Sequence, residues 1–358
     1  MENLVRSFTE SGFYRGRPVF LTGHTGFKGA WMATWLQSLG ARVSGFALAP
    51  ERPSLFEDAR VAEGMRSTIG DLRDLAALEP ALQAAQPEIV FHLAAQALVR
   101  RSYHDPLGTF STNVMGTAHL LDAVRRAPSV RAVVIVTSDK CYENREWPHA
   151  YREPDPMGGR DPYSASKGCA ELVTSAYRAS FFDGGAAIAS GRAGNVVGGG
   201  DWAEDRIVPD LIRGLTRNEP IPIRAPHAIR PWQHVLEPLS GYLTLGQRLI
   251  ETPAAASEAW NFGPAESSSV PVRTLAEAVV REWGDGRLEF ATKPLDLHEA
   301  ASLALDWGKA RLRLEWQPRL DFQRTVALTV DWYREFHRDP SSARRMTEQQ
   351  IEAYDAAR

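Results

Sequence analysis

Between Pro18 and about Ser190 the chain alternates short runs rich in Val, Ile, Phe and Ala with longer stretches of helical composition. A strand, a helix and a further strand in succession close as a parallel pair with the helix crossing over, so the repeated rhythm predicts a doubly wound parallel sheet with helices on both faces. Strands are expected at Val19–Thr22, Arg42–Phe46, Arg66–Ile69, Ile89–Leu93, Ala132–Thr137 and Ala187–Ser190. Each is short and dominated by apolar residues, as burial on both faces requires. Helices are expected at Trp31–Leu39, Leu72–Ala85, Thr109–Arg126 and Tyr163–Phe182, with Pro or Gly near their ends.

After Ser190 the rhythm breaks, and Gly198–Gly200, Pro209, Pro220, Pro222, Pro226 and Pro231 punctuate the next stretch of chain. Loops and short elements forming a second, smaller, mixed α/β lobe are the expectation. A single core stops growing near about 250–300 residues, so 358 residues fit two lobes with a cleft between them. The division expected is a dinucleotide-binding lobe over 1–190 with a returning segment near 232–262, a substrate lobe over 191–231 and 263–345, and a peripheral polar tail over 346–358.

The glycine pattern Thr22-Gly23-His24-Thr25-Gly26-Phe27-Lys28-Gly29 comes directly after the first strand and opens the first helix. There a dinucleotide pyrophosphate can approach backbone amides and a helix N-terminus, the arrangement of a Rossmann-type sheet. Gly23, Thr25, Gly26, Phe27, Lys28 and Gly29 are the cofactor candidates, with Lys28 either adding positive charge or simply solvated. The second strand ends in Ser44-Gly45-Phe46-Ala47-Leu48 without a carboxylate for the adenosine ribose, which leaves NAD or NADP open. After the third strand, Asp71 and Leu72 can hold the adenine edge, while Asp71 serves equally well as a helix N-cap.

In Tyr163-Ser164-Ala165-Ser166-Lys167 the Tyr and Lys are four residues apart, so a helix presents both from one face. Bringing a phenol from a pKa near 10 to roughly 7 takes about 4 kcal/mol of preferential phenolate stabilisation, which a neighbouring ammonium helps to supply. The fifth strand ends in Thr137-Ser138-Asp139-Lys140-Cys141-Tyr142, polar groups at the carboxyl edge of the sheet, where open α/β folds put their ligands.

Glycine loop, polar strand end and Tyr-x-x-x-Lys, in this order, resemble the extended short-chain dehydrogenase/reductases that modify nucleotide sugars. Within that group, five segments look like the CDP-glucose 4,6-dehydratase family: His92-Leu93-Ala94-Ala95-Gln96, Val99-Arg100-Arg101-Ser102-Tyr103, the Thr137–Tyr142 run, Asn195–Trp202 and Arg230-Pro231-Trp232-Gln233-His234. The resemblance implies NAD as cofactor, with Ala94 and Ala95 beside it, and CDP-glucose as substrate. It also implies the chemistry: Tyr163 takes the proton of the sugar 4-hydroxyl as hydride leaves C4, and Ser138 hydrogen-bonds that oxygen. A base removes the C5 proton, Asp139 protonates the departing 6-hydroxyl, and the hydride returns to C6. Related dTDP- and GDP-sugar dehydratases carry Glu after the Asp, whereas this chain has Lys140, which acts either as the C5 base or as a stabiliser of the enolate. Gln96, Arg101, Asn195, Arg206, Arg230, Trp232 and His234 are the implied substrate contacts, the arginines suiting a diphosphate. A homodimer or homotetramer built on Thr109–Arg126 and Tyr163–Phe182, and a 6-deoxy or 3,6-dideoxyhexose for a surface polysaccharide, are further implications.

The rival within enzymes is a sugar-nucleotide 4-epimerase or reductase, which uses the same Tyr163 and Lys167 but needs no acid at C6, so Asp139 discriminates. A cofactor-sensing protein without turnover is the rival from another class, and the presence of both Tyr163 and Lys167 argues against it. A net charge of −3 with no basic stripe argues against nucleic acid. No run of about 18 apolar residues and no leader-like start occur, so the cytosol is expected. Cys141 and Cys169 lack metal-ligand spacing, and neither a metal nor a disulfide is expected.

Overall fold

The computed structural model describes residues 7–291 and 303–357; the lobe and tail assignments made for 1–6, 292–302 and 358 lie outside the described residues. Seven strands form one parallel sheet: β1 (Pro18–Thr22), β2 (Arg42–Ala47), β3 (Arg66–Ile69), β4 (Ile89–His92), β5 (Ala132–Val136), β6 (Ala187–Ala193) and β7 (Ala259–Phe262). Their order is 3-2-1-4-5-6-7, so the direction of winding reverses between β1 and β4. Crossovers leave such a point to opposite faces, and a crevice opens at the carboxyl ends of the strands. The register sets Thr22 opposite both Phe46 and His92. Its hydroxyl lies 2.7 Å from His92 Nδ1 and accepts from the Ala94 amide at 3.2 Å, which ties the floor of the crevice together.

The longer helices are α1 (Phe27–Ser38), α2 (Leu75–Ala85), α3 (Gly116–Arg125), α4 (Pro162–Phe181), α5 (Ile207–Arg217), α6 (Leu236–Glu251), α7 (Val272–Trp283), α8 (Phe322–Arg338) and α9 (Ala343–Ala356). Successive strand residues point to opposite faces, and the two cores obey that alternation. On one face Phe20, Val90, Val133 and Ile188 meet Leu78 and Leu82 of α2 and Leu120, Leu121 and Val124 of α3. On the other, Val19, Leu21, Phe91 and Val134 meet Trp31 and Trp35 of α1 and Leu239 and Leu243 of α6. Burial of each such side chain contributes about 1.5–3 kcal/mol, which selects this register over one slipped by a residue.

Among the described residues, the stretches expected to form a second lobe carry three short strand pairs of mixed direction. Val196–Val197 runs parallel to Gln233–His234, Ile229–Pro231 antiparallel to Ser269–Pro271, and Ile221–Ile223 parallel to Leu288–Phe290. Helices α5, α7 and α8 pack beside them, and their core residues, such as Leu211, Val279 and Trp332, run on into the α1 side of the sheet. Among the described residues no helix is long and apolar enough to cross a membrane.

Three expectations are corrected. The helix expected over Thr109–Arg126 is interrupted: Pro106–Phe110 passes through a π-turn at Ser111–Met115 before α3. The extra residue in that turn aims Asn113 inward, where its side chain accepts from the Gln96 amide at 2.8 Å and donates to Gln96 O at 3.0 Å and Ser166 Oγ at 2.8 Å. The helix expected from Leu72 begins at Leu75, with Asp74 as N-cap, so Asp71 is not the cap. The 346–358 tail is not peripheral: α9 buries Ile351 and Tyr354, and the Asp355 carboxylate accepts from the amides of Phe8 and Thr9, each at 2.9 Å. Its polar composition reflects one solvated helix face.

Candidate active site

At the glycine loop, Gly23 has φ 77°, and a Cβ there would stand 2.6 Å from the Ala94 amide nitrogen. A Cβ at Gly29 would stand 2.0 Å from Gly23 O, so α1 sits flush on the β1 turn. No side chain caps α1, whose cap position is Gly26. A helix start of that kind suits the pyrophosphate of a dinucleotide, and the residues present fit one. Gly23, Thr25, Gly26, Phe27, Lys28, Gly29, Asp71, Leu72, Ala94 and Ala95 all line one cleft. Thr25 donates to Leu48 O at 2.9 Å, and Asp71 is held by the Arg73 guanidinium at 2.5 Å. Lys28 is half-buried in the cleft lining, where burial, then the charges of Arg206 and Lys167, bring its ammonium down to about 7.

That cleft encloses about 2010 Å³, against roughly 300–1,000 Å³ for a pocket built around one small ligand. It has room for two ligands end to end. Where they would meet, β5 ends and α4 begins. Asp161 caps α4 by accepting from Ser164 N at 2.9 Å, which sets Tyr163 and Lys167 on the cleft face of the first turns. Burial raises Tyr163 to about 12, opposed by a hydrogen bond with Ser138. Burial lowers Lys167 to about 8, opposed by Glu171. Its ammonium reaches Val136 O at 3.5 Å.

Beside them Ser138 donates to Asp139 Oδ1 at 2.8 Å and accepts from the Lys140 amide at 3.2 Å, and Lys140 Nζ lies 3.3 Å from the same carboxylate oxygen. Asp139 is fully buried, and its Oδ2 has no partner among the described residues. A buried carboxylate oxygen without a hydrogen-bond partner is costly unless a ligand uses it. Gly194 makes the space: a Cβ there would stand 3.0 Å from that oxygen.

On the second-lobe wall, Asn195 Nδ2 is buried and without a partner among the described residues, while Arg206 donates to Asp201 at 2.9 Å. Arg230 and Trp232 line the cleft, Trp232 donating to Val270 O at 3.2 Å. Gln96 lines it too, but its amide is spent on Leu98 and Thr109. Arg101 sits at the exposed mouth, paired with Glu51 at 3.1 Å. His234 does not reach the cleft: its ring is fully buried against Trp31, and burial lowers it to about 3.

Other cleft residues had no signal in the sequence. Glu51, four residues beyond β2, and the Arg100–Asp205–Arg224 chain of charges meet only through the fold. The run Gly198–Gly200 does have a signal, but its reason is packing: a Cβ at Gly199 would stand 2.0 Å from Trp332 Cγ.

The family model for GDP-mannose 4,6 dehydratase matches residues 20–329. A CDP-glucose 4,6-dehydratase of Salmonella typhimurium is 51% identical over 332 residues, 91% of this chain and 92% of its own. A dTDP-glucose 4,6-dehydratase of Streptomyces antibioticus is 32% identical, covering 74% of this chain and 75% of its own. Among solved structures, the Thermus thermophilus UDP-glucose 4-epimerase in complex with NAD aligns with a TM-score of 0.76 at 26% identity, over 88% of this chain and 98% of that one. Since the family model covers residues 20–329 and the Salmonella relative 91% of the chain, the chain belongs to the GDP-mannose 4,6 dehydratase family.

Proposed function

We propose that this protein is an NAD-dependent lyase that converts CDP-glucose to CDP-4-dehydro-6-deoxy-glucose. The observation that carries the reading is the buried Asp139, a lining residue of the cleft with Tyr163, its Oδ2 without a partner among the described residues, in a chain 51% identical to a CDP-glucose 4,6-dehydratase. A bound nicotinamide supplies the hydride acceptor for sugar C4 and the donor for C6. Tyr163 takes the 4-hydroxyl proton, with Lys167 holding the phenolate and Ser138 hydrogen-bonded to the phenol. Once C4 is a ketone the C5 proton is acidic. Asp139 serves as the acid for the departing 6-hydroxyl, and Lys140, its Nζ 3.3 Å from that carboxyl, acts at C5 as the base, or as counter-charge to the enolate while another group takes the C5 proton. Asn195, Arg206 and Arg230 hold the diphosphate.

The exposed apolar residues Met115, Leu172 and Phe181 lie on the two helical stretches expected to pair copies of the chain, which supports a homo-oligomer built there. Sizing of the purified protein as a monomer would remove that part. The cytosol, where nucleotide sugars are made, is the setting that fits, with a deoxysugar for a surface polysaccharide downstream.

The test is incubation with NAD⁺ and, separately, CDP-, dTDP-, GDP- and UDP-glucose and GDP-mannose, with products monitored by mass spectrometry. Loss of water confined to CDP-glucose is expected. An epimer without water loss would replace this reading by a 4-epimerase.

A further inference from the structure

Behind the cleft, Glu171 and Arg192 form a buried ion pair at 2.7 Å, each side chain 5% exposed. Neither lines the cleft, yet the hydrogen bonds of the pair run to both catalytic segments. Glu171 lies one turn after Lys167 on α4, on the same face. Its carboxylate accepts from Thr137 Oγ1 at 2.5 Å and Ser190 Oγ at 2.7 Å. Arg192, on β6, donates to Tyr142 Oη at 2.7 Å and to Glu153 O at 3.1 Å, and Tyr142 in turn donates to Asn261 on β7 at 2.8 Å. Thr137 and Tyr142 are the residues that flank Ser138–Cys141.

We propose that the Glu171–Arg192 pair is the positioning unit of this site: it clamps both ends of the Ser138–Cys141 segment to α4 and β6, and it keeps Lys167 an ammonium. The inference rests on the reading of Tyr163, Lys167 and Asp139 as the catalytic groups of a dehydratase. A buried pair is weak as a source of stability, because desolvation offsets most of its attraction, so its siting calls for another explanation. The geometry supplies one. The groups facing Lys167 are Glu171 from its own helix, Cys141 from the clamped segment, His92 from β4 and Lys28 from α1. Burial makes His92 neutral and pushes the Cys141 thiol well up, so neither carries charge at neutral pH. Glu171, held ionised by Arg192, Thr137 and Ser190 against its burial, is the anion among them. Without it Lys167, already lowered by burial, sheds its proton at a lower pH and leaves the phenolate unsupported.

The experiment labels lysine side chains with ¹³C, assigns the Lys167 signal with Lys167→Met, and titrates it by NMR in the wild type and in Glu171→Gln. The kinetics of CDP-glucose conversion are measured on the same samples. Glu171→Gln is expected to move the Lys167 titration down by about one pH unit and to lower kcat about tenfold with KM within about twofold. The double variant Glu171→Leu/Arg192→Met removes both charges without stranding either, and is expected to fold and to show the same downward shift. Thr137→Val keeps the pair but cuts one tie to the segment, and is expected to lower kcat while leaving the Lys167 titration in place. An unchanged titration in the first two variants overturns the electrostatic half, and a wild-type kcat in Thr137→Val overturns the clamp. Failure of the wild type to convert CDP-glucose would fall on the functional reading alone, because the NMR titration still decides whether Glu171 holds the charge on Lys167.

Discussion

In the proposed mechanism Tyr163 and Asp139 serve two separate steps that share one cleft. Tyr163→Phe removes the group that takes the 4-hydroxyl proton, so reduction of NAD⁺ by the sugar should fall by about 10³-fold, read as absorbance at 340 nm with CDP-glucose. Asp139→Asn keeps that oxidation but withdraws the acid for the 6-hydroxyl; reduced cofactor should form at a near-normal rate while water loss slows by about 10²-fold, read by quenched-flow mass spectrometry. Normal dehydration in Asp139→Asn would remove Asp139 as the acid. The pH dependence is set by Lys167, lowered by burial to about 8. Below that pH the ammonium supports the phenolate, and above it the amine is neutral. The kcat/KM profile should therefore descend as pH rises through about 8. At this scale the sequence was legible wherever chemistry depends on near neighbours in the chain, as in Tyr163–Lys167 and Ser138–Lys140. It failed at His234, where the direction of one side chain depends on which neighbour the strand meets.

Helices and strands were legible in type and less so at their ends. The start of α2 moved from Leu72 to Leu75 because Asp74, not Asp71, accepts from the amides of Ala76 and Ala77. The π-turn had no local signature, since it answers to Gln96 and Ser166, distant in sequence. The same holds at the C-terminus, where Asp355 accepts from Phe8 N, Thr9 N and, at 2.7 Å, Thr9 Oγ1. Asp355→Ala strands two amides at the start of the Phe8–Ser11 helix, and should cost about 2 kcal/mol of stability in urea titration while leaving kcat unchanged. A loss under about 0.5 kcal/mol would mean that water replaces the carboxylate.

At the scale of the whole molecule, three histidines that are buried among the described residues tie stability to pH. Burial lowers His24 to about 4 and His92 and His234 to about 3, from an ordinary 6.5. Unfolding exposes them to water, where they take up protons below pH 6.5, so their contribution is whole above that pH and is lost as pH falls toward 3–4. At pH 5.5 each should have cost about 1.4 kcal/mol. Urea midpoints measured from pH 7.5 to 5 should fall steadily, and His234→Gln should flatten the slope by about one proton. An equal slope in that variant would mean that His234 is reached by water in the folded state. The sequence by itself determined the parallel sheet, the glycine turn at the start of α1 and the placing of Tyr163 and Lys167 on one helix face, because strand period, glycine turns and helical spacing act over a few residues. Only the tertiary structure decided that one oxygen of the buried Asp139 has no partner among the described residues, that Glu171 and Arg192 meet behind the cleft, and that α9 closes the core, because each depends on groups brought together from distant parts of the chain.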